Sequence, residues 1–265
     1  MIDARRLILA VLAASLAVGL GLPVNAAELC LHGCPTGGRP NNRIIERSIY
    51  VLSNNGSTKF ADWVAYRVTK ETIGPSQQRI WHRDPDLPDN ETLSPADYAG
   101  IRAALHADRG HQAPLASLTG TPDWDMADYL SNITPQATDL NEGAWERLEN
   151  AERSLAKRQD VSEVYSITGP LYEHDMPRLP HAHLNHRVPS GYWKVIAVER
   201  GNDLRVAAFV FDQETPRDED ICQHAVTVRE VETRSHLNLF PKLAQTRQDE
   251  IEPAPGQLTS DLGCR

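Results

Sequence analysis

The chain has 265 residues, 40% of them hydrophobic and 24% charged, with a formal net charge of −9. That is an ordinary globular composition with apolar material for a sizeable core, in one large domain or two small ones. The acidic balance excludes long-range attraction to a polyanion as a property of the whole surface.

Arg5 and Arg6 precede an apolar run from Leu7 to Leu22, closed by Asn25-Ala26-Ala27. A basic start, an apolar centre and a small-residue close predict a signal peptide over 1–27, cut after Ala26 or Ala27. A membrane anchor is the alternative, but the run is short for a span and no later stretch approaches one. The expectation is a secreted protein, extracellular or periplasmic, with no membrane contact after cleavage. Residues 1–27 hold Arg5, Arg6 and Asp3, so the remainder keeps 25 basic and 35 acidic residues, a balance of −10. In an oxidising compartment the four cysteines, Cys30, Cys34, Cys222 and Cys264, are expected to pair, in one of three connectivities. A zinc site has weak support, because no CxxC or CxxxxH spacing surrounds them.

Strands are expected over Ser48–Leu52 and Phe60–Val68, around a hairpin signal at Asn54-Asn55-Gly56. The Pro- and Asp-rich stretch 82–98 reads as a surface loop, and Pro95–Leu105 as a short helix. The clearest helix is expected to begin near Asn141, with Ala144, Trp145, Leu148, Ala151 and Leu155 at helical spacing. Further strands are expected at 164–168, 193–198 and 205–211, with one more at 226–230. The run Val206-Ala207-Ala208-Phe209-Val210-Phe211 predicts a strand covered on both faces. With no repeat and no linker, residues 28–265 read as a single mixed α/β domain of the α+β type with a central, largely antiparallel sheet.

The chemistry-bearing stretch is Asp108-Arg109-Gly110-His111-Gln112-Ala113-Pro114-Leu115-Ala116-Ser117. Ser131-Asn132-Ile133-Thr134-Pro135-Gln136 and Asp139-Leu140-Asn141-Glu142-Gly143-Ala144-Trp145 follow it. Together with Cys-x-x-Gly-Cys-Pro-Thr-Gly-Gly at 30–38, Lys59 to Tyr66, Thr168 to Glu173, Pro189 to Ile196 and the terminal Gly263-Cys264, they span the mature chain. This pattern resembles the Serratia-type family of DNA/RNA non-specific endonucleases, whose site is a ββα-metal motif. The departures are the His-rich segment 181–186 and the loop 199–204. The resemblance implies a Mg²⁺-dependent enzyme that cuts DNA and RNA to 5′-phosphorylated oligonucleotides. It also implies the pairing Cys30 with Cys34 and Cys222 with Cys264, and leaves open whether Mn²⁺ substitutes and whether the chain forms a homodimer.

Within that pattern His111 is the candidate general base, since neutral imidazole suits proton abstraction near pH 7. Gly110 would let the backbone approach substrate closely. The resemblance makes Asn141 the metal ligand, although an asparagine before a helix is by itself more often a cap. A single neutral amide oxygen suits magnesium, which keeps most of its water. Glu149, on the same helix as Asn141, would hold waters around the ion, with Arg153 one turn on; the bland alternative is a surface salt bridge. Arg79 matches the family's arginine at the scissile phosphate. Arg109 would read phosphate or pair with Asp108, and Asn132 would orient the site. The other reading is a secreted metal-binding protein using His181, His183 and His186 with His174, or a nucleic-acid-binding protein on a nuclease scaffold.

Overall fold

Residues 28–264 are described in the computed structural model of the chain, so the expected signal peptide over 1–27 lies outside the described residues. In chain order the elements are β1 (Arg43–Glu46), β2 (Tyr50–Asn55), β3 (Phe60–Val68), α1 (Ile101–Leu105), β4 (Ala107–His111), β5 (Ile133–Ala137), α2 (Thr138–Asn141), α3 (Ala144–Ala156), β6 (Val164–Leu171), β7 (Gly191–Arg200), β8 (Asp203–Asp212), β9 (Ala225–Val226), α4 (Val228–Ser235) and α5 (Gln245–Ile251). Seven strands form one antiparallel sheet in the order β1-β2-β3-β6-β7-β8-β9, and β4 with β5 makes a separate antiparallel ribbon. The mixed α/β fold with a largely antiparallel sheet is the one expected.

The strand period of two divides the core between the faces of the large sheet. Tyr192, Ile196, Phe209 and Phe211 pack with Trp145, Leu148 and Leu155 of α3 on the first face. Trp193, Val195, Val206, Ala208 and Val210 pack with Val228 and Val231 of α4 on the second. Both faces are covered, so β8 reads as a continuous apolar run, and β7 as one broken only by Lys194, although the sheet is antiparallel. One disulfide serves each face: Cys30–Cys34 with Cα atoms 4.8 Å apart, and Cys222–Cys264 at 5.3 Å. No described helix is long and apolar enough to cross a membrane.

Several local expectations change. At the first hairpin Asn54 and Asn55 lie inside β2, and the positive φ of 73° falls on Lys59 rather than on Gly56. Asn55 Oδ1 accepts from Ser57 N and Thr58 N, which closes the wider turn. The stretch 82–98 is not a free surface loop, because Asp84 is buried and accepts from Arg47 and Ser131. Pro95–Leu105 is broken at Gly100, φ 69°, into a 3-10 turn over Pro95–Tyr98 and the short α1. The strand expected at 226–230 ends at Val226, since the Thr227 hydroxyl accepts from Glu230 N (3.1 Å) and caps α4.

The helix expected from Asn141 is two helices. Asn141 is the last residue of α2, and α3 begins after Gly143. A Cβ on Gly143 would lie 2.2 Å from Asp139 O and 2.5 Å from Arg217 O, so only glycine fits between the two. Asn141 and Glu149 therefore do not share a helix, and Asn141 does not cap α3.

Candidate active site

The polar segment Asp108–His111 is strand because β5 pairs with it, Asp108 opposite Gln136 and His111 opposite Ile133. Gly110 serves that ribbon rather than a substrate approach. A Cβ there would lie 2.6 Å from Gln136 Oε1 and 2.7 Å from Gln136 Cβ, and Gln136 is buried. The ribbon runs directly into α2 and α3, and the three enclose a cleft of about 410 Å³. Of the seven expected site residues, His111, Arg79, Arg109, Asn141, Glu149 and Arg153 line it, and Asn132 does not.

The His111 side chain is only 9% exposed, with Nε2 3.0 Å from Oδ1 of the fully buried Asp128. Asp128 Oδ2 accepts from Ile80 N at 2.6 Å. Burial pushes the His111 pKa below its usual value, Asp128 opposes that shift, and the Arg79 charge adds to it. The Trp81 ring stands 5.3 Å from the imidazole, and the Arg109 guanidinium lies 5.4 Å from the centre of the same ring. Arg109 also donates to Pro95 O at 3.0 Å, so it is braced against Trp81 and the 3-10 turn, not against Asp108.

Asp108 instead joins Arg102 (3.0 Å) and accepts from Asn141 Nδ2 (3.3 Å). An ionised carboxylate is an acceptor only, which settles which end of the amide faces it. Asn141 Oδ1 is left without a donor among the described residues, on a side chain that lines the cleft. Across the cleft Glu149 lies 3.9 Å from Arg153 and 3.8 Å from Lys194 Nζ. Lys194 is fully buried on β7, donates to Tyr66 Oη (2.9 Å) and sits 4.7 Å from the centre of the Trp145 ring. Tyr66 donates to Glu152 at 3.0 Å, and Ser166 donates to the same carboxylate. Burial raises the Glu149 pKa, while Lys194 and Arg153 pull it back. Glu149 is thus no surface salt bridge but the cleft-lining end of a buried polar chain.

Arg79 is exposed at the cleft rim and makes no hydrogen bond or ion pair among the described residues. Asn132 lies beneath the site: its amide accepts from Ala113 N (2.8 Å) and donates to Ala113 O and Ala127 O (2.9 Å each). It pins the chain leaving His111 to the 3-10 turn that carries Asp128.

Four arginines (79, 102, 109, 153) and four carboxylates (108, 142, 146, 149) line the cleft, so it balances its own charge inside an acidic molecule. The unpartnered Asn141 amide oxygen, with carboxylates in the same cleft, is a hard oxygen set that fits a magnesium-like cation. The histidine segment is different. Leu179 N donates to His186 Nε2 and Nδ1 faces Leu184 O, so neither ring nitrogen is free. No group of three or more His, Cys, Asp or Glu side chains among the described residues is placed to hold a metal.

Two further members of this site, Lys194 and Asp128, differ in how visible they are in the sequence. Lys194 interrupts the apolar run Tyr192-Trp193-Lys194-Val195-Ile196, where a lysine must be buried and paired. Asp128 has no comparable signal, because its tie to His111 forms only when Trp124–Asp128 folds over the ribbon.

A family model described as DNA/RNA non-specific endonuclease matches residues 25–246. The chain is 52% identical over 243 residues to a nuclease of Serratia marcescens, covering 91% of each chain. It is 29% identical over 252 residues to the mitochondrial endonuclease G of Bos taurus, covering 84% of this chain and 81% of the relative. A solved structure, the crystal structure of the EndoG/EndoGI complex, aligns with a TM-score of 0.68 at 25% identity over 83% of this chain and 92% of that one. A ribbon-and-helix cleft holding a histidine, an aimed asparagine and arginines, on a chain matched along nearly its whole length, makes this protein an endonuclease of the DNA/RNA non-specific endonuclease family.

Proposed function

We propose that the enzyme hydrolyses phosphodiester bonds of DNA and RNA with His111 as general base and a divalent cation, Mg²⁺ or Mn²⁺, at Asn141. The observation that carries this is that His111, Asn141 and Arg79 line one cleft. Asn141 Oδ1 would hold the cation directly and Glu149 through water. When bound, the cation supplies positive charge to the departing oxygen.

His111 takes a proton from water, whose oxygen bonds to phosphorus as the bond from phosphorus to the 3′ oxygen breaks. The 3′ oxygen takes a proton from solvent, leaving a 3′ hydroxyl and a 5′ phosphate. Arg79, exposed and without a partner among the described residues, offers its two-pronged donor to the phosphoryl oxygens as their charge grows. Arg109 and Arg153 border the same path. Asn132 acts by holding the chain on either side of the site. Contacts of this kind fall on phosphate, which carries no base identity, so cleavage takes little account of sequence. Two disulfides suit an enzyme exported to an oxidising space, extracellular or periplasmic.

The test is digestion of supercoiled plasmid and total RNA by the mature protein with Mg²⁺, with a chelator, and with His111→Ala. Both substrates are expected to be degraded, with chelation abolishing cleavage and the variant losing on the order of 10²–10⁴-fold in kcat. Because burial lowers the His111 pKa, the base stays unprotonated to a pH below 6.5 and is lost as the pH falls further. The acid limb of kcat/KM is therefore expected below pH 6.5. A limb above that value, or full activity in His111→Ala, would remove His111 from the role.

A further inference from the structure

We propose that Glu146 is a specificity-determining residue, an unpaired carboxylate in the cleft that repels strand phosphates, most strongly those of a duplex. The inference rests on the cleft being the site where nucleic acid is held, and it names what limits that hold.

The even balance of charges along the cleft conceals an uneven pairing. Asp108 lies 3.0 Å from Arg102, which also holds Glu142 at 3.0 Å, and Arg217 reaches Glu142 from outside the cleft. Glu149 is flanked by Lys194 at 3.8 Å and Arg153 at 3.9 Å. Glu146 is the remaining cleft carboxylate. It is exposed in the first turn of α3, and its side chain makes no hydrogen bond or ion pair among the described residues. On the basic side Arg79 is likewise without a partner, while Arg109 meets two aromatic rings and a carbonyl but no carboxylate. A strand drawn in by these two arginines therefore meets one uncompensated negative charge in the same cleft.

An acidic side chain in a first turn also favours the helix itself, through the helix dipole. That role concerns only the stability of α3, whereas repulsion of phosphate is felt only when a strand enters. A duplex carries about one charge per 1.7 Å of its axis, about twice the density of either strand alone. The same carboxylate therefore penalises a duplex more than a single strand. The repulsion acts on a bound strand whether or not a bond is breaking, so its removal tightens binding without adding to the stabilisation of the transition state.

Fluorescence anisotropy with end-labelled DNA oligonucleotides, in chelator so that nothing is cut, compares the parent with Glu146→Gln and Glu146→Lys. Glutamine keeps the size and helix propensity of the residue. Glu146→Gln is expected to bind duplex about three- to tenfold more tightly at ~50 mM salt, with a smaller gain on single strand and both gains fading by ~0.5 M. Glu146→Lys should gain more and steepen the salt dependence by about one counterion. Glu214→Gln, at an exposed position outside the cleft, should leave the affinity as it is. With Mg²⁺ the gain in Glu146→Gln should appear in KM. An unchanged affinity in Glu146→Gln, or a gain matched by Glu214→Gln, would overturn the proposal, and an equal gain on the two strand forms would overturn the selectivity. A higher Mg²⁺ requirement in Glu146→Gln would also overturn it, by making the carboxylate a holder of the cation. A parent that binds and cuts, with Glu146→Gln no tighter, sinks only this inference, while a parent that neither binds nor cuts sinks the nuclease reading beneath it.

Discussion

The two faces of the large sheet are covered by helices and equally dry, yet their strands carry different cargo. Toward α4 the buried residues of the central strands are apolar: Trp63, Ala65, Ile167, Trp193, Val195, Ala197, Val206, Ala208 and Val210. Toward α3 the same sheet buries Lys194, Tyr66 and Ser166 and joins them to Glu149 and Glu152 of the helix. The second face needs only shape. The first face holds charges that are tolerable only while every partner is present, and its polar chain ends in the cleft. Neighbouring residues on β7 thus answer to different physics.

The sharpest way to break that comparison is to change Lys194 and Val195 separately. Lys194→Met takes the buried cation from Glu149 and from the Tyr66 hydroxyl that holds Glu152, and is expected to cost about 3–5 kcal/mol in denaturant melts, with a fall in kcat for the molecules still folded. Adding Glu149→Gln to Lys194→Met should recover part of that stability but not the rate. Val195→Ala leaves a small cavity, costs roughly 1–3 kcal/mol and leaves the rate per folded molecule unchanged. Equal kinetic effects from the two single changes would mean that the buried chain does not reach the site.

The disulfides extend the contrast, because each serves one face. Cys222–Cys264 closes a separation of 42 residues behind α3 and is expected to contribute about 4 kcal/mol through the unfolded chain. Cys30–Cys34 spans four residues on the other face and is expected to contribute about 2 kcal/mol. Paired serine replacements compared by urea melts check the order, and a larger loss at Cys30–Cys34 would contradict it.

Much of the large sheet was legible because a strand buried on both faces has an unmistakable apolar run, as in β7 and β8. The core stripe of α3 was legible for the analogous reason at helical period. The ribbon strand Ala107–His111 was not, since its residues are polar and its pairing partner lies some 25 positions away. In the sequence α3 reads as beginning near Asn141, since Gly143 has the look of a tolerated helix residue, whereas it marks a break forced by Asp139 and Arg217. Val226-Thr227-Val228 has strand propensity, but the Thr227 hydroxyl finds a backbone donor and starts a helix. In the site, His111, Asn141 and Arg79 were found from the motif, and all three border one cleft. Asp128 escaped because a carboxylate 17 residues from its histidine leaves no periodic trace.

The self-balanced cleft also bears on how a long substrate is consumed. With nine net negative charges on the chain, the surface on average repels the polymer that the cleft accepts. A strand is held near the point of cutting and little elsewhere, so both ends leave after each event and the next encounter begins from solution. Cutting is then dispersive rather than processive. A partial plasmid digest should pass through a population of nicked and singly cut circles before short fragments accumulate, and early fragments beside untouched plasmid would contradict this.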